Sequence, residues 1–208
     1  MPHIIEAIEN ESIGRSIEIL RNAHEFVASR AIAAQAEIGA DLDHWGTAAK
    51  RMFVDLQGGP DLVGKSEEKF VEIINILATT ERTIEALQWF SESYPDLSVR
   101  ECHSSTSDNP DGNDIVLVSH EGEVKVRCEV CDVASRSPGQ NNKEKKDLAS
   151  LGCSEVVPKD GVDRYIATST EFGAALAGPK RKWTGMHYGY QLIETKLPLG
   201  TVLLAVGE

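Results

Sequence analysis

Two carboxylates in the middle of the chain have the setting of a divalent-metal site. Asp114 directly precedes a short apolar run, Ile115 to Val118, after a polar loop that ends Pro110, Asp111, Gly112, Asn113. After a turn through Glu121, Gly122 and Glu123, a second run from Val124 to Cys131 carries Glu129 near its end. If these runs are antiparallel strands, the start of one and the end of the other meet at one edge of the sheet, and the two acids can converge there. Mg²⁺ takes oxygen ligands in octahedral geometry and keeps several waters for substrate phosphates. Once held, it can activate water and offset charge in a phosphate transition state. The backbone carbonyl of Val130 could add a ligand. Simpler roles exist for both acids. Asp114 would serve as a strand-start cap after an Asx-type turn, and Glu129 would form an ordinary ion pair with Arg127 or Lys143.

Other reactive side chains give less. Cys128 and Cys131 have C-x-x-C spacing, but residues three apart on a strand point to opposite faces, so one zinc ion could not easily receive both. No helix start follows directly to lower a thiol pKa. Buried, reduced thiols are therefore expected. His24 lies on an apolar helix stripe and is expected to be a satisfied helix histidine. His103, His120 and His187 are expected at exposed loops or strand edges, with no metal spacing between them. Glu85 could act as an accessory acid, though its position reads as a solvated helix face. Gly58 and Gly59 lack the Gly-Lys-Ser/Thr ending of a phosphate loop.

The elements that must position these groups follow from periodicity. Ile13, Ile17, Leu20, His24, Val27 and Ala31 recur at three- and four-residue spacing and predict a helix over 13–38, with Gly39 at its end. A second helix is expected over about 47–56, stopped at Gly58, Gly59 and Pro60. A third starts near Ser66 and buries Phe70, Ile73, Ile74, Leu77, Ile84, Leu87 and Phe90. Pro95 ends it, because a residue before proline disfavours helix. The period then changes from 3.6 to 2. Strands are expected over 97–102, 115–118 and 124–131, the second apolar throughout and so buried on both faces. In the third, Val124, Val126, Cys128 and Val130 share the apolar face, and Lys125, Arg127, Glu129 and Cys131 the other. A charged helix over 142–151 is stopped by Gly152, and a strand near 164–168 follows. A short helix over 171–177 and strands over 188–195 and 201–206 complete the chain. The result is an α/β fold with a mixed sheet (α+β in strand order): an N-terminal helical region, residues 1–60, then an α/β domain over 61–208. The helical region would pack on the core or make a dimer.

Composition sets limits. Of 208 residues, 41% are hydrophobic, enough for an ordinary core. The net charge of −12 repels nucleic-acid phosphate overall. Any basic surface must be local, at Lys143, Lys145 and Lys146 or at Lys180, Arg181 and Lys182, where Trp183 and Tyr188 could stack a base. No apolar run is long enough for a transmembrane helix, and the first residues lack the basic and apolar regions of a secretory signal. A cytoplasmic protein with reduced cysteines is expected.

Asp114 with its apolar strand, the Cys128-Glu129-Val130-Cys131 segment, and the order helix, three strands, helix, strand together resemble the PD-(D/E)XK restriction-endonuclease-like nucleases. Arg164 to Thr170 followed by a short helix is similar to the elements that close the core in Mrr-like members. The resemblance covers roughly residues 66–178. It implies a restriction-endonuclease-like core and hydrolysis of DNA phosphodiesters with Mg²⁺ (or Mn²⁺). Asp114 and Glu129 would be metal ligands, and a Lys would polarise the attacking water. That Lys is absent: its place holds Cys131. Lys143 or Lys145 on the next helix, or Arg127 on the same strand face, would have to supply the charge. Gln140 and Asn141 would contact substrate or water. Bacterial defence or mobile-element biology, DNA as partner and a homodimer would follow. The rival expectation is a catalytically silent member acting through a protein partner, of immunity or regulatory type.

Overall fold

The computed structural model describes residues 8–40, 70–103, 112–131, 143–153, 158–170 and 191–207. The expected helices over 47–56 and 171–177, the Ser66 cap, Gln140, Asn141, and the segment from Lys180 to Tyr188 lie outside them.

The chain enters as a strand, β1 (Ile8–Ser12), and turns at once into α1 (Ile13–Ala40). The Ser12 side chain accepts a hydrogen bond from the Arg15 amide at 3.2 Å, the position of an N-cap. α1 runs through Gly39 rather than stopping before it. The next described elements are α2 (Phe70–Ser93), β2 (Ser98–Cys102), β3 (Ile115–Val118) and β4 (Val124–Cys131). They are followed by α3 (Lys143–Ser150), β5 (Asp163–Ser169), β6 (Gln191–Lys196) and β7 (Thr201–Gly207). α2 ends two residues before Pro95, as the proline rule requires. α3 ends in paired bonds, the Gly152 amide to Ala149 and the Cys153 amide to Leu148. Gly152 closes that motif at φ 78°, where a Cβ would be strained.

The strands form one seven-stranded mixed sheet in the order β1-β2-β3-β4-β5-β7-β6. Neighbours are antiparallel except β4 and β5, which are parallel and joined through α3. The order α2-β2-β3-β4-α3-β5 is the expected helix, three strands, helix, strand. Residues 8–40 do more than add a helix. β1 pairs with β2 at the edge of the sheet, and Ile8, Ile13, Ile17 and Leu20 share a core with α2 and the central strands.

Apolar residues fill both faces of the sheet. On one, Leu87 and Phe90 of α2 pack with Ile115, Leu117, Val126, Cys128 and Val130. On the other, Leu148 and Leu151 at the end of α3 pack with Cys131, Ile166, Val202 and Leu204. The alternation expected for β4 is therefore present, and Cys128 and Cys131 lie on opposite faces. All four cysteines are buried free thiols. His24 is half-buried and bonds Glu81 of α2 at 2.9 Å, a satisfied helix histidine. His120 is exposed, while His103 is only half-buried and sits beside Glu101.

Glu85 differs from its expected solvated position. It is buried, and its carboxylate accepts the Leu199 amide at 2.6 Å and the Thr201 amide at 3.1 Å. It braces the β6–β7 turn against α2, a contact that no local periodicity encodes. No helix among the described residues is long and apolar enough to cross a membrane.

Candidate functional site

The register of β3 on β4 explains how the two acids meet. Ile115 lies opposite Cys128 and Val116 opposite Arg127. One step further along the same register, Asp114 falls opposite Glu129. Directly opposed residues of an antiparallel pair share a face, with Cβ atoms about 4.5–5.5 Å apart. β4 is central, flanked by β3 and β5, so Glu129 is buried. Asp114, at the strand start, is half-buried.

Scaffold donors hold each carboxylate. The Val130 amide donates to Asp114 Oδ2 at 2.7 Å. Glu129 Oε1 accepts two bonds, from Asn113 Nδ2 at 2.7 Å and from the Ser150 hydroxyl at 2.5 Å. Ser150 is the last residue of α3, so the helix closes over the acid from the second face of the sheet. Asn113 is fully buried, and its Oδ1 accepts from Arg127 Nη1 at 2.7 Å. Arg127 thus reaches Glu129 through an amide.

The electrostatics follow from burial and like charge. Burial first, and then the neighbouring Asp114 charge, push the Glu129 carboxyl up to about 7. Hydrogen bonds from Ser150 and Asn113 oppose that rise, and the direct contact with Asp114 adds to it. Near neutral pH the two acids are therefore poised to share a proton. The same charge, with burial as the larger cause, keeps the Cys102 and Cys128 thiols protonated.

A hard divalent cation suits this donor set, because it can take the place of the shared proton between two oxygens. Among the described residues no group of three or more His, Cys, Asp or Glu surrounds one point. Among the described residues two acids converge there, and remaining positions would fall to backbone oxygen, water or substrate.

The other expected residues divide. Cys131 is buried with Leu148, Leu151 and Ile166 on the Glu129 face. The side chains of Lys143 and Lys145 lie outside the described residues, but their helix positions differ. Position 143 falls on the Ser150 side of α3, two turns away or about 10 Å along the axis. Position 145 falls on the opposite side. Asn113 and Ser150 are the residues that reading the sequence missed. Asn113 was legible as the residue beside Asp114. Ser150 was not, because only the packing of α3 on β4 brings it within reach. A cavity of about 230 Å³ lies elsewhere, between α1, α2 and the β6–β7 turn, lined by Glu85, Arg82 and Leu199.

Comparison of the chain with family models, with curated proteins and with solved structures returned no match.

Proposed function

We propose that this chain is a Mg²⁺- or Mn²⁺-dependent DNA phosphodiesterase of the PD-(D/E)XK class. In this reading Asp114 and Glu129 are the metal-binding acids, and the Val130 carbonyl is a further ligand. The supporting observation is the convergence of a buried carboxylate, Glu129, and a half-buried one, Asp114, across β3 and β4. A structural carboxylate needs one set of donors. Two like-charged acids pressed together raise the energy of the fold unless a proton or a cation lies between them.

The bound ion would lower the pKa of a water and offset negative charge on the phosphate. The chain itself does the rest. The Val130 amide, Asn113 and Ser150 hold the two carboxylates still. Arg127 sits two residues before Glu129 on the same face, about 7 Å along the strand, where its charge favours an anionic substrate. Of Lys143 and Lys145, Lys143 has the helix position on the Ser150 side and would serve for the missing motif Lys. Gln140 and Asn141 lead into α3 and would meet substrate there.

One observation favours a second reading. The residue in the motif Lys position, Cys131, is packed into an apolar cluster. On that reading the chain is a catalytically silent nuclease fold that acts through a protein partner, of immunity or regulatory type.

Calorimetric titration with Mn²⁺, followed by plasmid cleavage, separates the two. The enzyme reading expects wild type to bind and cleave, Glu129→Gln to lose both, and Lys143→Ala to bind but not cleave. Absence of Mn²⁺ binding, with and without DNA, would sink it. Binding without cleavage by wild type would favour the silent form.

A further inference from the structure

The Asn113 amide has its two ends committed to different charges. Arginine has only donors, so the atom facing Arg127 must be the amide oxygen. The other end of the amide is then the nitrogen, which donates to Glu129 Oε1. Both distances are 2.7 Å, and the side chain between them is fully buried. The partners therefore fix the amide orientation and leave it no alternative of equal energy. Ser150 donates to the same oxygen of Glu129 from the opposite element, α3, while its Oγ also lies 2.8 Å from the Asp147 carbonyl. Two donors from two different elements thus converge on Oε1 and fix the carboxylate's rotation. On Asp114, the Val130 amide does the equivalent work on Oδ2.

We infer that Asn113 and Ser150 are positioning residues for metal binding, locking the Glu129 carboxylate in the rotamer that turns it toward Asp114. This rests on the metal-dependent reading above. Asn113 has a second task. By accepting from Arg127 it keeps the guanidinium from swinging onto Glu129 and closing the site with an internal ion pair. It separates cation and anion by one amide, so that the anion can meet a metal and the cation a phosphate. A direct Arg127–Glu129 bridge would neutralise both.

Partners that orient a metal ligand typically contribute tenfold to a hundredfold in affinity. Asn113→Ala and Ser150→Ala are each expected to weaken Mn²⁺ binding by roughly that factor, measured by calorimetry at fixed pH. Adding Arg127→Met to Asn113→Ala removes the cation that would collapse onto Glu129, so the double variant is expected to recover part of the affinity. A purely structural Asn113 predicts a lower melting temperature, unchanged Mn²⁺ affinity and no recovery, and that result overturns the inference. Should Asn113→Ala fail to fold, Ser150→Ala decides alone, since Ser150 is at an exposed helix end. Wild-type affinity in Ser150→Ala would then overturn it. If wild type binds Mn²⁺, Glu129→Gln does not, and the positioning variants match wild type, only this inference falls. If wild type does not bind, with or without DNA, the metal reading falls and takes this one with it.

Discussion

Glu85 and Glu129 are both buried glutamates packed at the same sheet, and the protein treats them in opposite ways. Glu85 reaches from α2 to two backbone amides at the β6–β7 turn, so each of its oxygens meets a donor of the scaffold. Glu129 has two donors on one oxygen and a second carboxylate beside it. The first arrangement satisfies a charge and fixes a turn. The second holds a charge against another of the same sign. The difference separates a brace from a candidate site: the brace meets its charge with backbone donors, whereas the proposed site sets two acids side by side, where a proton or a cation can lie between them.

Mn²⁺ binding should separate the two glutamates by the widest margin. Glu129→Gln is expected to reduce affinity by more than about a hundredfold, whereas Glu85→Gln leaves it unchanged, by calorimetry on folded protein. Equal affinities in the two variants would erase the distinction.

Position 131 tests the missing Lys directly. Cys131→Lys places an ammonium among Leu148, Leu151 and Ile166 and is expected to cost about 3 kcal/mol or more in a urea melt. A stable variant that cleaves plasmid would show that the site needed only that charge.

Stability without metal should separate the two glutamates in the other direction. Glu85→Gln weakens two charge-assisted bonds and is expected to lose about 2 kcal/mol. Glu129→Gln removes a like-charge contact and is expected to melt no lower than wild type at pH 8. A matching loss would make Glu129 a brace as well.

The pH dependence sharpens this further. The Glu129 carboxyl is raised in the fold from an ordinary value of 4.5 to about 7. Between those values the folded state binds the proton and the unfolded chain does not. Its stabilising contribution is therefore complete below about 4.5 and is lost as pH rises through about 7. The metal-free melting temperature should fall across this window in wild type, with the fall flattened in Glu129→Gln. Asp160 provides the opposite sign. Its bond to Arg164 holds it near 2, so its contribution is present above its ordinary value of 3.8 and fades as pH falls toward 2. Asp160 is itself exposed, so solvent screening limits its effect, and Asp160→Asn is expected to cost less than about 1 kcal/mol in a urea melt at neutral pH.

The elements whose signal is local were legible in the residues themselves. The stripe Ile13, Ile17, Leu20, Val27 fixed α1, because an amphipathic helix writes its buried face at a regular spacing. The switch to period 2 located β2 and β4, and the apolar run of β3 marked a strand covered on both faces. Gly152 marked the end of α3, since that backbone conformation strains any residue with a Cβ. The placement of Asp114 before one strand and Glu129 near the end of the next was also enough to suggest that they meet. β1 was not legible. Its Glu9, Asn10 and Glu11 follow a single buried Ile8, and an edge strand with one covered residue leaves no alternation to read.

Tertiary packing, by contrast, sets how each of the two glutamates is paired: Glu85 with two backbone amides, Glu129 with two side-chain donors and a second acid. Glu85 and Glu129 are the same residue type, and each sits among apolar neighbours in sequence. Their partners lie 114 and 116 residues away for Glu85, and 16 and 21 residues away for Glu129. Donors that far along the chain are brought in by sheet register and helix packing. The charge environment of a buried carboxylate depends on those partners, and a linear sequence carries no record of them.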